Sequence, residues 1–107
     1  MTINKGHVLH AIYCTFIIIS SFNDFSKAMN WVINDNKGCD TDTNDAISGA
    51  MLGAILGLEK IKSESQTNIN IEILLNADTN NGPTKRADYY QPFDFYELTE
   101  KAHKLTI

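Results

Sequence analysis

The sequence predicts an all-α protein, a helical bundle, and three observations point that way. From Val8 to Ile19 apolar side chains stand at nearly every position, a run too long for a typical strand. Phe25, Ala28, Met29 and Val32 then recur at i, i+3, i+4 and i+7, the stripe of an amphipathic helix. Between Ala46 and Gly57 a glycine and alanine stripe falls on one helical face.

In chain order, the first helix, His7 to Ser20, has so few polar positions that it is expected to be buried all round. Ser21 and Asp24 have the spacing of a capping box and precede a second helix with Asp24, Lys27, Asn30 and Asn34 on its outer face. That helix should stop near Asn36, with Gly38 supplying a left-handed exit. In the third helix Ala46, Gly49, Ala50, Gly53, Ala54 and Gly57 share a face, while Ile47, Met51, Leu52, Ile55 and Leu56 cover the rest. A glycine inside a helix costs roughly 1 kcal/mol relative to alanine, so a compensating gain is expected, from close approach of another helix along the groove.

Residues Glu59 to Asn70 are polar without a clean period. Ile69, Ile71 and Ile73 alternate like a strand, but Thr67 as a cap and the adjacent Leu74 and Leu75 fit a two-turn helix; with no partner strand visible, helix is the preferred reading. Asp78 to Pro83 is turn-forming, and Phe93 to Lys104 reads as a terminal helix with Phe95, Leu98, Ala102 and Leu105 inward. No repeat and no linker interrupts the chain, so 1–107 is read as a single domain.

Composition narrows the function. The chain has 107 residues and carries 9 Lys and Arg against 13 Asp and Glu, a formal net charge of −4. Its basic residues are scattered, with Lys85 and Arg86 the only adjacent pair, so no nucleic-acid binding is predicted. The longest apolar runs, Val8 to Ile19 and Ala46 to Leu58, fall short of the roughly 18 residues a membrane helix needs, and no cleavage pattern of a secretory signal follows the N-terminus. Cys14 and Cys39 match no zinc spacing and are read as reduced thiols, which places the protein by default in the cytoplasm.

Between the second and third helices, Asp40, Asp42 and Asp45 put three carboxylates within six residues, with Lys37 the one cation nearby. Two carboxylates about 5 Å apart repel by roughly 3 kcal/mol at an effective dielectric of 20. Two accounts of the loop stand open. In one, Asp42 or Thr43 caps the third helix and Asp45 sits in its first turn. In the other, a curl of the loop turns Asp40 and Asp42 to one ion and Thr43 adds a hydroxyl, an all-oxygen set that selects magnesium, manganese or calcium over zinc or copper. A calcium loop of the EF-hand type is excluded, because its sixth and twelfth positions, glycine and glutamate by rule, are Asp45 and Met51.

The run from Gly38 to Gly57, GCDTDTNDAISGAMLGAILG, resembles the C-terminal signature of the ADP-ribosylglycohydrolase family, which includes the dinitrogenase-reductase-activating glycohydrolases. In that signature a GGDxDT loop leads into a helix rich in glycine and alanine. Gly6 to His10 with the apolar helix behind it, Phe25 to Ile33, and Thr84 to Pro92 agree with the same family. The resemblance implies an orthogonal all-α bundle and hydrolysis of the bond between ADP-ribose and its acceptor at C1″, assisted by two Mg2+ ions. Carried over, Asp40, Asp42 and Thr43 are metal ligands, with Asp42 the bridge between the ions. Cys39 departs from the family, standing where a second glycine is usual.

Members of the family are much longer, and their remaining ligands, a Thr-Asp-Asp cluster and an acidic residue, lie in an N-terminal half that has no counterpart here. By the resemblance, then, the chain is a partial, C-terminal segment, inactive alone and completed by a complementary N-terminal chain, or else self-associating through the apolar faces of its first and third helices. A non-catalytic remnant, and a small helical binding module whose DxDT loop is only a cap, are the alternatives. His7 and His10, three apart on one helix, could ligate a metal but are read as packed or surface side chains. Cys39 has no adjoining histidine to activate it, and Trp31, Tyr89 and Tyr90 are read as core or rim aromatics before adenine stackers.

Overall fold

A computed structural model describes residues 8–35 and 40–106, which are mostly helical with no strand among them. The helices are α1 (Val8–Ser21), α2 (Phe25–Asn30), α3 (Thr41–Leu56), α4 (Leu58–Lys62), α5 (Ser65–Leu75) and α6 (Phe95–Leu105). A π-helical turn, Trp31–Asp35, continues α2, and a 3-10 turn, Asp88–Tyr90, precedes α6. The chain is all-α, as its periodicities predict. It divides into two compact units, Met1–Asn68 and Ile69–Ile107.

In the first unit, α1, α2 with its π turn, and α3 converge on a core of Ile18, Ala28, Val32 and Leu52, with Phe22, Phe25, Met29, Trp31 and Leu56 packed against it. Burying side chains such as Ile18 and Leu52 contributes about 1.5–3 kcal/mol each. Helix α1 is not buried all round: His10, Ala11, Cys14, Thr15 and Ile18 face inward, whereas Val8, Leu9, Ile12, Tyr13 and Phe16 are exposed, Phe16 at 69%. Exposed Ile47, Met51 and Ile55 of α3 add to the apolar surface of this unit, and Ile12, Phe16, Ile19, Ile47 and Met51 line an apolar groove of about 290 Å³.

Ser21 is the last residue of α1, so it cannot open a capping box; Asp24 is itself the N-cap of α2 and accepts from the Lys27 amide at 2.9 Å. The two preceding orphan amides of α2 are satisfied from far along the chain. Phe25 N donates to Glu64 Oε1 at 2.7 Å and Ser26 N to Glu64 Oε2 at 2.9 Å, while Thr67 Oγ1 donates to Oε2 at 3.1 Å. Thr67 thus lies inside α5 as a buried partner of Glu64 and does not cap that helix. The exit expected at Gly38 lies outside the described residues.

The glycine face of α3 is approached by side chains of α2 and α4. A Cβ at Gly49 would lie 3.1 Å from Met29 Sδ and 3.7 Å from Phe25 Cζ; at Gly53 it would lie 3.7 Å from Ile61 Cδ1. The stripe of α3 buried most deeply is Asn44, Ser48 and Leu52, at i, i+4 and i+8. Gly57, at φ 77° and ψ 158°, separates α3 from α4 in a backbone region that only glycine adopts freely.

In the second unit, Gln91 is buried and clasps the turn that begins at Asp78, accepting from Thr79 N and donating to Thr79 Oγ1 and the Arg86 carbonyl. Helix α6 forms where expected, but its stripe is not inward: no residue of α6 is buried, and Leu105 is 85% exposed. Among the described residues no helix is long and apolar enough to cross a membrane.

Candidate cation site at the start of helix α3

Helix α3 begins inside the acidic loop, at Thr41, five residues before its apolar pattern does. Asp40 (φ −73°, ψ 79°) holds the N-cap position, and the Asn44 amide donates to its carbonyl at 3.0 Å to close the first turn. Asp42 and Thr43 therefore stand within that turn, near the positive end of the helix dipole, which favours anionic carboxylates. Asp40, Asp42 and Asp45 are gathered at a helix start, and the curl expected at Gly38 lies outside the described residues.

The Asp40 side chain makes no capping hydrogen bond. Hydrogen bonding from the neighbouring Asp40 side chain, followed by the Thr43 amide donating to Asp42 Oδ1 at 2.9 Å, holds Asp42 below the usual carboxylate range. Thr43 follows immediately and is exposed. Asp45, one helical turn on from Asp42, has its Oδ1 buried with no hydrogen-bond partner among the described residues, and burial pushes its carboxyl above the ordinary range.

The donor set is of the kind a hard divalent cation takes: carboxylates at Asp40 and Asp42 and a hydroxyl at Thr43, all at the start of α3. The set is incomplete, since no group of three or more His, Cys, Asp or Glu that could hold a metal occurs among the described residues. Cys39 and His7 lie outside those residues. Trp31 is half-buried against the core, its ring 6.2 Å from Phe22, while Tyr89 and Tyr90 are exposed and lean on each other at 4.4 Å.

One feature beside the site was not read from the sequence. His10, on α1, is buried and bound to Asn44, the residue directly after the DxDT motif: Asn44 Nδ2 donates to His10 Nδ1 at 3.1 Å, and Cys14 Sγ lies 3.7 Å from the same nitrogen. One turn further along α3, Ser48 Oγ lies 3.2 Å from Thr15 Oγ1. The signal available was the polar stripe Asn44, Ser48 within an otherwise apolar helix, opposite His10 and Thr15 in another.

A family model described as ADP-ribosylglycohydrolase matches residues 1–82. The match ends before Thr84 to Pro92, one of the stretches in which the sequence suggested agreement. Neither the curated proteins nor the solved structures give a match.

Proposed function

The chain belongs to the ADP-ribosylglycohydrolase family, and from that premise we propose that it supplies one half of a magnesium site for hydrolysis of the ADP-ribose C1″ glycosidic bond. The observation that carries the reading is the placement of Asp40 at the N-cap and of Asp42 and Thr43 in the first turn of α3, which sets three oxygen-bearing side chains at one helix end. Asp40, Asp42 and Thr43 would hold the cation, and the cation would supply positive charge beside the breaking bond. Helix α3 fixes these oxygens on a rigid element, so their separation is set before substrate arrives.

Magnesium demands near-octahedral coordination, and these three side chains leave positions to be filled by groups outside this sequence and by water. The chain alone is therefore inactive in this reading. Its partner is ADP-ribose or an ADP-ribosylated protein together with a polypeptide carrying the family's N-terminal acidic cluster, seated on the exposed apolar faces of α1 and α3.

The test follows release of ADP-ribose from an ADP-ribosylated protein in Mg2+ or Mn2+, by the chain alone and with a family N-terminal polypeptide added. Release is expected only for the combination, with loss in Asp42→Ala. Undiminished release by Asp42→Ala would reduce the loop to a helix cap.

A further inference from the structure

Helix α3 touches α1 through a buried polar pair at the one point where it also carries the candidate ligands. Asn44 is 3% exposed and His10 6%, and their hydrogen bond spans the two helices immediately after Thr43. An Asn amide nitrogen can only donate, so in this orientation His10 Nδ1 is the acceptor. Leaving either partner buried without the other is costly, which fixes the rotation of the first turn of α3 about its axis.

We infer that His10 is a positioning residue for the cation site: through Asn44 it sets the angle at which Asp40 and Asp42 leave the helix. A rotation of one residue's step, 100° in an α-helix, would carry Asp42 off the face that Asp40 reaches across the cap. Because Asn44 N also donates to the Asp40 carbonyl, the same residue is tied at once to α1 by its side chain and to the N-cap by its backbone. The Thr15–Ser48 bond joins the same two helices one turn further from the ligands. It supplies the control, an interhelical polar bond at the same interface that does not adjoin the loop.

This inference rests on the cation reading of Asp40 and Asp42, and the experiment separates the two. The full chain is titrated with Mn2+, and binding is read as paramagnetic broadening of amide signals at 40–44, with affinity from the free Mn2+ signal by electron paramagnetic resonance. The parent chain shows broadening confined to that turn, and Asp42→Asn abolishes it. His10→Leu, which keeps bulk but removes the acceptor, weakens Mn2+ binding roughly tenfold or more, the scale on which groups supporting a ligand act. His10→Asn, which restores an amide near the Nδ1 position, recovers most of it. Ser48→Ala lowers the melting temperature and leaves Mn2+ affinity unchanged.

Should His10→Leu fail to fold, Asn44→Ala breaks the same bond from the α3 side and is expected to show the same loss. Parent-like affinity in either variant, or an equal loss in Ser48→Ala, overturns the positioning role while the cation reading stands. No localised broadening in the parent, or none lost in Asp42→Asn, overturns both.

Discussion

Gly49, Gly53 and Gly57 look alike in sequence and should respond differently to alanine. At Gly53 an added Cβ meets Ile61 Cδ1 at 3.7 Å and Phe25 Cε2 at 4.0 Å, ordinary van der Waals distances. Gly53→Ala therefore keeps the propensity gain of about 1 kcal/mol, a rise in melting temperature of roughly 4–8 °C for a domain of this size. At Gly49 the Cβ would sit 3.1 Å from Met29 Sδ. The thioether is flexible and can move, but overpacking costs about 1–3 kcal/mol, so Gly49→Ala should be neutral or lose up to about 2 kcal/mol. Gly57 has open space around it and φ 77°; Gly57→Ala loses about 1–3 kcal/mol from backbone strain alone. Urea unfolding followed by circular dichroism at 222 nm orders the three. A destabilised Gly53→Ala, or a Gly57→Ala as stable as the parent, would refute this account of α3.

Glu64→Ala should destabilise the first unit by about 2 kcal/mol, because two α2 amides lose a charged acceptor, and Glu64→Gln by about half as much; a null effect in chemical unfolding would mean water replaces the cap at no cost. Burial raises the Asp45 carboxyl above its ordinary value of 3.8, so the folded chain binds that proton more tightly than the unfolded chain does and the ionised form carries a cost at neutral pH. The stability of Asp45→Asn relative to the parent should therefore shrink between pH 7 and pH 4 in paired urea titrations, and an advantage that grows as pH falls would contradict the cause. Phe16→Glu, a charge placed in the exposed apolar groove of α1 and α3, should weaken self-association and the binding of a family N-terminal polypeptide by tenfold or more in sedimentation equilibrium. Unaltered binding would place the partner elsewhere.

Much of the helical layout was legible because each segment's apolar period is local. The stripe at Phe25, Ala28, Met29 and Val32 needs no partner to be recognised, and all four side chains touch or form the core as read. What failed was inference about which faces meet. The uniform apolarity of α1 implied burial on every side, yet its residues are sorted by what α3 presents, and the polar His10 and Thr15 are inside while Phe16 is out. The amphipathic stripe of α6 gives its secondary structure correctly and its burial wrongly, since period fixes a face but not a neighbour. Glu64 escaped notice as a cap because the amides it serves are 38 and 39 positions away.

In the acidic loop, residue types alone left Asp40, Asp42 and Thr43 open as an oxygen donor set or as a helix cap, while the helix start at Thr41, hidden because the apolar pattern begins only at Ala46, decides how they are presented. The His10–Asn44 bond joins residues 34 positions apart, a pairing that follows from how α1 packs on α3 and from no local spacing.

The most direct measurement is anomalous diffraction from crystals of the chain grown in Mn2+, preferably with a family N-terminal polypeptide bound. The account predicts a peak within coordination distance of carboxylate oxygens from both Asp40 and Asp42, with the Thr43 hydroxyl turned toward it. A map without a peak at the first turn of α3, or with those carboxylates occupied by backbone amides, would contradict it.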